Sequence, residues 1–344
     1  MTALLLISAD DLLLDELLRL AAAAGATPEV VRDLSTGLRA WSRAPAVVVG
    51  ADLLTEMARL GPPRRPGVHV AGWGAAGEEV FRAALALGAE HVVELPDGAS
   101  WLTALLTDVG DDAGRGMTVG VVGGSGGAGA TTFACALGQS AARSGATLVV
   151  DADPLGPGID RVLGLEEQQG VRWADLAHTS GRLGARALRE ALPRQGRLGV
   201  LTWAPSDHRR LDPAVVREVL SAAARGHQTV IIDLPRNESA AELVPRCDQL
   251  IVVVNPTVTG ISSAVRLVEG LADGVRAGVV VRGPGADPET VARAIGLPVI
   301  AEMSHQRGLA EAIDLGLGPL RSRRGPLAKA ASAALGRCVL QAVA

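Results

Sequence analysis

Short, unbroken runs of Val, Ile and Leu recur along the 344 residues, with amphipathic stretches between them. "ALLLIS", "AVVVG", "VHVAGW" and "HVVEL" are such runs in the first third, and "DLLLDELLRLAAAAG" and "GEEVFRAALALG" are helical stretches among them. A strand with one wet face alternates apolar with polar residues, whereas a run without alternation belongs to a strand covered on both faces. Strands of that kind separated by helices predict a parallel sheet with helices on both sides. The pattern restarts at Met117 with "MTVGVVGG" and continues through "TLVVDAD", "LGVLTW", "TVIIDLP", "QLIVVVN", "AGVVVRG" and "LPVIAEM". Between the two series lies the polar, glycine-containing "DVGDDAGRG". The chain therefore reads as an α/β domain over 1–108, a linker over 109–116 and a second, doubly wound α/β domain over 117–344. Two domains also suit a chain of this length, at roughly 150 residues each.

Hydrophobic residues make up 48% of the chain, enough for sizeable cores, and no apolar run reaches the ~20 residues of a membrane span. A soluble protein is expected. Asp10, Asp11, Asp15 and Glu16 interrupt the leucine-rich start and no basic stretch precedes it, which argues against a secretory leader. Cys135, Cys247 and Cys338 form no C-x-x-C pair, as in a reducing cytoplasm. A net charge of −4 argues against DNA as partner. One lysine, Lys329, lies near the end, so no motif lysine is available for phosphate chemistry.

That shortage matters at "VVGGSGGAGATTFACALG", residues 121–138. Glycines between a strand and a helix allow backbone N–H groups and the helix N-terminus to wrap a phosphate. A loop of the form G-x-x-x-x-G-K-[ST] carries a lysine before its hydroxyl residue, but here Ala130 precedes Thr131. Thr131 remains able to offer its hydroxyl to Mg²⁺. Two later strands end in acids, "LVVDAD" at Asp151 and Asp153 and "TVIIDLP" at Asp233, which suits a metal-holding carboxylate. Each feature alone is also read as a tight turn or a cap. Packing gives no reason for loop, acidic strand and acidic strand to occur in that order at strand ends, where doubly wound sheets bind ligands.

"SGGAGATT" resembles the deviant Walker A motif K-G-G-x-G-K-[ST] of the MinD/ParA superfamily of P-loop ATPases, with Ser125 and Ala130 at its two lysine positions. "VVDADPLGPGID" is similar to that superfamily's acidic strand, "IIDLPR" to the Walker B form of its CpaE/TadZ branch, and "LPVIAEMSHQRGLAEAIDLGLGP" to its late segment. The resemblance covers about 117–320, and among these proteins the arrangement is most similar to the septum-site-determining Ssd group. It implies a nucleotide-binding loop over Gly124, Ser125, Gly126, Gly127, Ala128, Gly129, Ala130, Thr131 and Thr132, with ATP or ADP and Mg²⁺ as cofactors. It implies Thr131, Asp151 and Asp233 around the metal, and Asp153 as the carboxylate that positions attacking water. Arg282 stands where the family offers an asparagine to the base. Arg143 and Arg161 are candidates to replace the missing lysine charge, on which phosphoryl transfer depends.

The first domain resembles response-regulator receivers, a flavodoxin-like fold, and CpaE/TadZ-like proteins carry such a domain before the ATPase. A receiver places acids after its first strand, a phosphoacceptor aspartate after its third and a lysine after its fifth. Here Asp10 and Asp11 are displaced, Gly50 and Ala51 occupy the acceptor position with Asp52 one further on, and Leu95 stands for the lysine. The domain reads as a pseudoreceiver, Asp52 as an N-cap before "LLTEMARL".

Of the remaining signals, "GPPRRPG" and "RSRRGPLAK" read as solvated arginines, residues 326–342 as a packed terminal helix, His208 with Arg209 and Arg210 as a surface loop, and His305 as no metal or catalytic candidate. These readings lead to a cytoplasmic nucleotide-binding regulator with weak or absent hydrolysis. It would form a nucleotide-dependent homodimer and engage proteins of division or of pilus/secretion machinery, which recruit it to the septum or pole at the inner membrane face. A slow Mg²⁺-ATPase and a ParA-like DNA-partitioning protein are the alternatives.

Overall fold

Five parallel strands carry the first unit: β1 (Leu5–Ile7), β2 (Glu29–Val31), β3 (Val47–Gly50), β4 (Val68–Trp73) and β5 (His91–Leu95), in the order β2-β1-β3-β4-β5. That order is the flavodoxin-like one. In this computed structural model residues 4–24, 26–110, 116–177, 183–204, 212–237, 239–271 and 274–343 are described, without the side chains of 107–110 and 341–343. Helices α1 (Asp11–Ala23) and α5 (Ala99–Gly110) share one core with Leu6, Val48 and Val93. Helices α2 (Leu34–Trp41), α3 (Ala51–Leu60) and α4 (Glu78–Leu87) share another with Ile7, Val49 and Val70. Neighbouring residues of one strand thus enter opposite cores, the physical reason for runs without polar alternation. Strand β2 went unmarked by the apolar runs. It is three residues long at a sheet edge, with only Val31 buried.

The second unit has eight strands among the described residues: β6 (Met117–Gly123), β7 (Thr147–Asp151), β8 (Arg194–Gln195), β9 (Leu198–Leu201), β10 (Thr229–Asp233), β11 (Gln249–Val254), β12 (Ala277–Arg282) and β13 (Val299–Met303). Their order is β13-β12-β11-β6-β10-β7-β9-β8, parallel except where β8 pairs antiparallel with β9. The short β8 was also missed by the sequence pattern, because both of its residues are exposed. The helices that follow β6 along the chain are α6 (Ala130–Ala141), α7 (Ile159–Leu163), α8 (Trp173–Leu176), α9 (Ala185–Ala191), α10 (Pro213–Gly226), α11 (Ser239–Leu243), α12 (Val258–Glu269), α13 (Pro288–Ile295), α14 (Leu309–Asp314) and α15 (Pro326–Val343).

The chain divides into one unit of residues 1–112 with 180–186 and another of 113–179 with 187–344. Helix α5 runs to Gly110, two residues into the segment expected to be linker. Helix α6 is the core of the second unit: Phe133, Ala134, Cys135 and Leu137 are buried against Val121, Val149, Ile231 and Val253. Leu327, Ala331, Ala334 and Cys338 of α15 join that core, so the terminal helix is packed as expected. Among the described residues no helix is long and apolar enough to cross a membrane.

Candidate functional site

The loop between β6 and α6 emerges at the carboxyl end of a central strand, flanked in the sheet by β10 and β11. Gly127 and Gly129 have φ of 71° and 88°, a left-handed conformation that glycine enters without steric cost. A side chain on Gly126 or Gly127 would meet nothing within 4 Å, so the outer face of the loop is open. Gly124 packs instead, with the place of a Cβ 2.8 Å from Ala264 Cβ. Gly129 is the N-cap of α6 and supplies no side-chain cap. Among the described residues the N–H groups of Gly126, Gly127, Gly129 and Ala130 find no acceptor in the chain. A helix N-terminus left in this state favours an anion.

Asp233, the last residue of β10, lies beside the loop strand and in register with Asp151 at the end of β7. Burial pushes its pKa up to about 7, with Asp151 and Asp153 raising it further and the Thr131 hydroxyl lowering it. Asp151 is also pushed up, to about 6, by burial first. Its carboxylate accepts Thr202 Oγ1 at 2.7 Å, the Asp153 N–H at 3.1 Å and the Ile159 N–H at 3.4 Å. Its carbonyl accepts the indole N–H groups of Trp173 at 2.7 Å and Trp203 at 3.1 Å. Asp151, expected as a metal ligand, is thus largely engaged by its own chain. Asp233 has the freer carboxylate. Asp153 follows two residues beyond the strand end and uses Oδ1 to hold the Leu155 N–H at 3.0 Å.

The donor set fits a magnesium ion with a phosphate. Mg²⁺ takes oxygen ligands, usually one or two carboxylates together with substrate phosphate. The Thr131 hydroxyl, which favours the charged form of Asp233, has lone pairs to offer a cation. The cationic part comes from outside the loop. Arg282, at the end of β12, donates from Nη1 to the Gly127 carbonyl at 3.1 Å. Arg236, three residues past Asp233, donates from Nη2 to the Gly124 carbonyl at 3.2 Å and to Ser263 Oγ at 2.9 Å. The arginines suggested by sequence fare differently. Arg143 lies past the far end of α6, roughly 20 Å along the helix from the loop at 1.5 Å per residue. Arg161 lies in α7 with no hydrogen bond to the loop among the described residues. Sequence reasoning did not single out Arg236, Thr202 or the two tryptophans; the visible signal for Arg236 was its place just past an acidic strand end.

A cavity of about 400 Å³ behind β7 and β10 is lined by Trp173, Trp203, Pro154, Arg217, Leu220 and Arg246 and includes no residue of the loop. In the first unit the acids do other work. Asp10 N-caps α1 through the N–H groups of Leu12 and Leu13, and Asp11 pairs with exposed Arg32. Asp52 is not the N-cap of α3; Gly50 is. Its carboxylate accepts Ser8 Oγ at 2.8 Å, the Ala9 N–H at 2.7 Å and the Asp10 N–H at 3.2 Å. Elsewhere in that unit His69, Glu90 and His91 bring ligand atoms within 4.8 Å of one another, with Trp101 against both imidazoles. Their approach comes from the direct β4–β5 pairing of His69 with His91, which sequence spacing does not reveal. Arg65 is no solvated loop arginine, since it donates to the carbonyls of Trp41, Pro45 and Pro66. His208, Arg209 and Arg210 lie outside the described residues.

Residues 7–117 match the family model described as Rv3660c-like, CheY-like N-terminal domain. The second unit has the fold of MinD/ParA ATPases. A ParA family ATPase from Chlorobium tepidum TLS aligns with a TM-score of 0.58 at 18% identity, over 64% of this chain and 98% of that one. MinD from Pyrococcus horikoshii OT3, a septum site-determining protein solved with Mg-ADP, gives 0.55 at 18% identity over 64% and 95%. A chain of the Aquifex aeolicus MinC:MinD cell division complex gives 0.55 at 21% over 65% and 95%. At these identities the likeness is one of fold. Two Mycobacterium tuberculosis proteins, the uncharacterized protein Rv3660c of strain H37Rv and MT3760 of strain CDC 1551, are 39% identical over 338 residues, 94% of this chain and 94% of theirs. With a CheY-like unit followed by a MinD/ParA-like unit along the same length, this chain belongs to the Rv3660c family.

Proposed function

We propose that the chain is a nucleotide-binding spatial regulator of the CpaE/TadZ/Ssd type, with weak or absent ATP hydrolysis. The observation that carries this reading is the open glycine loop, with N–H groups lacking acceptors, set beside the Thr131–Asp233 pair. In this reading the N–H groups of Gly126, Gly127 and Gly129 donate to phosphate oxygens of ATP or ADP, and Thr131 and Asp233 hold Mg²⁺. When bound, the metal neutralises phosphate charge. Asp153 orients water, and slow turnover follows from the absence of lysine at positions 125 and 130, since a positioned cation is worth ~10³-fold or more in such reactions. A nucleotide then acts as a state signal for homodimerisation. The receiver-like unit docks protein partners of division or of pilus/secretion machinery, which bring a cytoplasmic protein to the septum or pole. The ligand of one MinD structure, Mg-ADP, and the partner of another, MinC, support this kind of reading without naming a partner here.

A slow Mg²⁺-ATPase is the second reading, favoured by the two arginines that touch the loop. DNA partitioning would rest on exposed Arg321, Arg323 and Arg324 alone and is not adopted. Calorimetric titration of ATP and ADP with Mg²⁺, with phosphate release followed in the same samples, tests the proposal. Saturable binding, lost in Gly129→Val and weakened in the milder Thr131→Val, with no release above buffer, is the expected result. Release with turnover selects the ATPase reading, and absence of binding to the intact protein overturns both.

A further inference from the structure

Two guanidinium groups reach the phosphate loop from strand ends outside it, on either side of β6. Arg236 follows β10 and Arg282 ends β12, and each donates to a loop carbonyl. The Arg282 group lies closer to the start of α6: a Cβ placed on Gly129 would be 2.6 Å from its Nη1 and 3.2 Å from its Cζ. The left-handed φ of 88° is therefore one reason for glycine at 129, and the guanidinium filling the adjacent space is another. Arginine carries five donors in a rigid fork that suits phosphate oxygens. The bond to Gly127 is the only hydrogen bond of the Arg282 guanidinium among the described residues.

Some arginines of the second unit are charge-paired. Arg172 pairs with Asp160 at 3.2 Å and Arg225 with Glu218 at 3.4 Å. Among the described residues neither Arg236 nor Arg282 has a carboxylate within 4.0 Å. A guanidinium anchored by a carbonyl, without a counter-ion, and next to helix N–H groups that also lack acceptors makes an environment short of negative charge.

We propose that Arg282 is the cation of the phosphate loop, supplied from β12 in place of a lysine at position 130, with Arg236 holding the first turn of the loop from the other side. The inference rests on the nucleotide reading above and assigns Arg282 to the phosphates, where the family resemblance had placed that strand end at the base. It also accounts for Ala130. A lysine there would set a second cation against the guanidinium, and a small residue leaves room for it.

The test uses the full chain and measures the affinity of MgATP, MgADP and MgGDP by calorimetry for the intact protein, Arg282→Ala, Arg282→Lys, Arg236→Ala and the double variant Arg282→Ala/Ala130→Lys. Hydrogen bonds to charged groups set the scale, so Arg282→Ala is expected to weaken ATP and ADP by about 10- to 100-fold without changing the ADP to GDP ratio. Arg282→Lys is expected to lose less, Arg236→Ala less still, and the added lysine at 130 to recover part of the loss. Arg282→Ala binding within twofold of the intact protein overturns the inference while leaving the nucleotide reading standing. A changed ADP to GDP ratio returns Arg282 to the base. Loss of binding with a lowered melting temperature and no recovery in the double variant makes Arg282 a strut of the loop. If the intact protein binds neither nucleotide, the functional reading itself fails and this inference falls with it.

Discussion

Each unit of this chain brings acidic residues to the carboxyl ends of a parallel sheet, and the two ends are finished in different ways. In the first unit Asp52 is taken up by Ser8, Ala9 and Asp10, and Gly50 leaves the space for that arrangement: a Cβ there would lie 2.2 Å from Asp52 Oδ1 and 2.7 Å from Ser8 Oγ. In the second unit the N–H groups of Gly126, Gly127, Gly129 and Ala130 have no acceptor among the described residues, and two buried carboxyls are left with raised pKa values. The same topological position is saturated by the chain in one case and keeps donors without an acceptor among the described residues in the other. Donors gathered at a helix N-terminus beside carboxyls with raised pKa values are the end at which the proposed nucleotide would bind.

The largest expected effect comes from removing the buried charge of the second unit. Asp233 and Asp151 are raised to about 7 and about 6 from 3.8. Between 3.8 and about 7 the unfolded chain has released protons that the folded chain retains, so these groups lower stability as pH rises through that window. Asp233→Asn removes the larger part. Urea unfolding without Mg²⁺ is expected to show the variant more stable by about 2 kcal/mol at pH 8 and nearly unchanged at pH 4. Equal stability at both pH values would mean that Asp233 carries no buried charge. His227, held down to about 4 mainly by burial, acts in the opposite sense below pH 6.5, so the difference between variant and parent is the quantity to read.

Asp52→Ala strikes the saturated end. Three donors lose a carboxylate acceptor, partly replaced by water because Asp52 is exposed, and a loss of about 1–2 kcal/mol is expected in urea unfolding. Nucleotide binding should be untouched, and acetyl phosphate should leave the parent protein unlabelled. Labelling at Asp52 would show that this end is open after all. The smallest effect is at Thr202→Val, which withdraws the 2.7 Å bond to Asp151. A stability loss of about 1 kcal/mol is expected, with the pH profile of Mg²⁺ binding moved upward because Asp151 loses a bond that favours its charged form. An unmoved profile would separate Asp151 from the metal.

The parallel sheets, the loop and the terminal acids of β7 and β10 were legible in the sequence because each is a local signal: a run of Val and Ile, a cluster of Gly, an acid at the end of a run. The edge strands β2 and β8 were not, since short strands with exposed residues have no apolar period to detect. Arg282 and Arg236 were present in the quoted motifs, but their contacts with Gly127 and Gly124 span 155 and 112 residues and depend on sheet order. Asp52 was read from its position before a helix as a cap; the donors that hold it come from the loop after β1, 42 to 44 residues earlier.

Amide hydrogen exchange on the full chain, with and without MgADP, compares both sheet ends in one experiment. Slower exchange is expected at residues 125–132 with the nucleotide, and unchanged exchange at residues 8–10 and 50–54. Unchanged exchange throughout the loop at saturating MgADP, or protection that develops at the Asp52 end instead, would contradict this expectation.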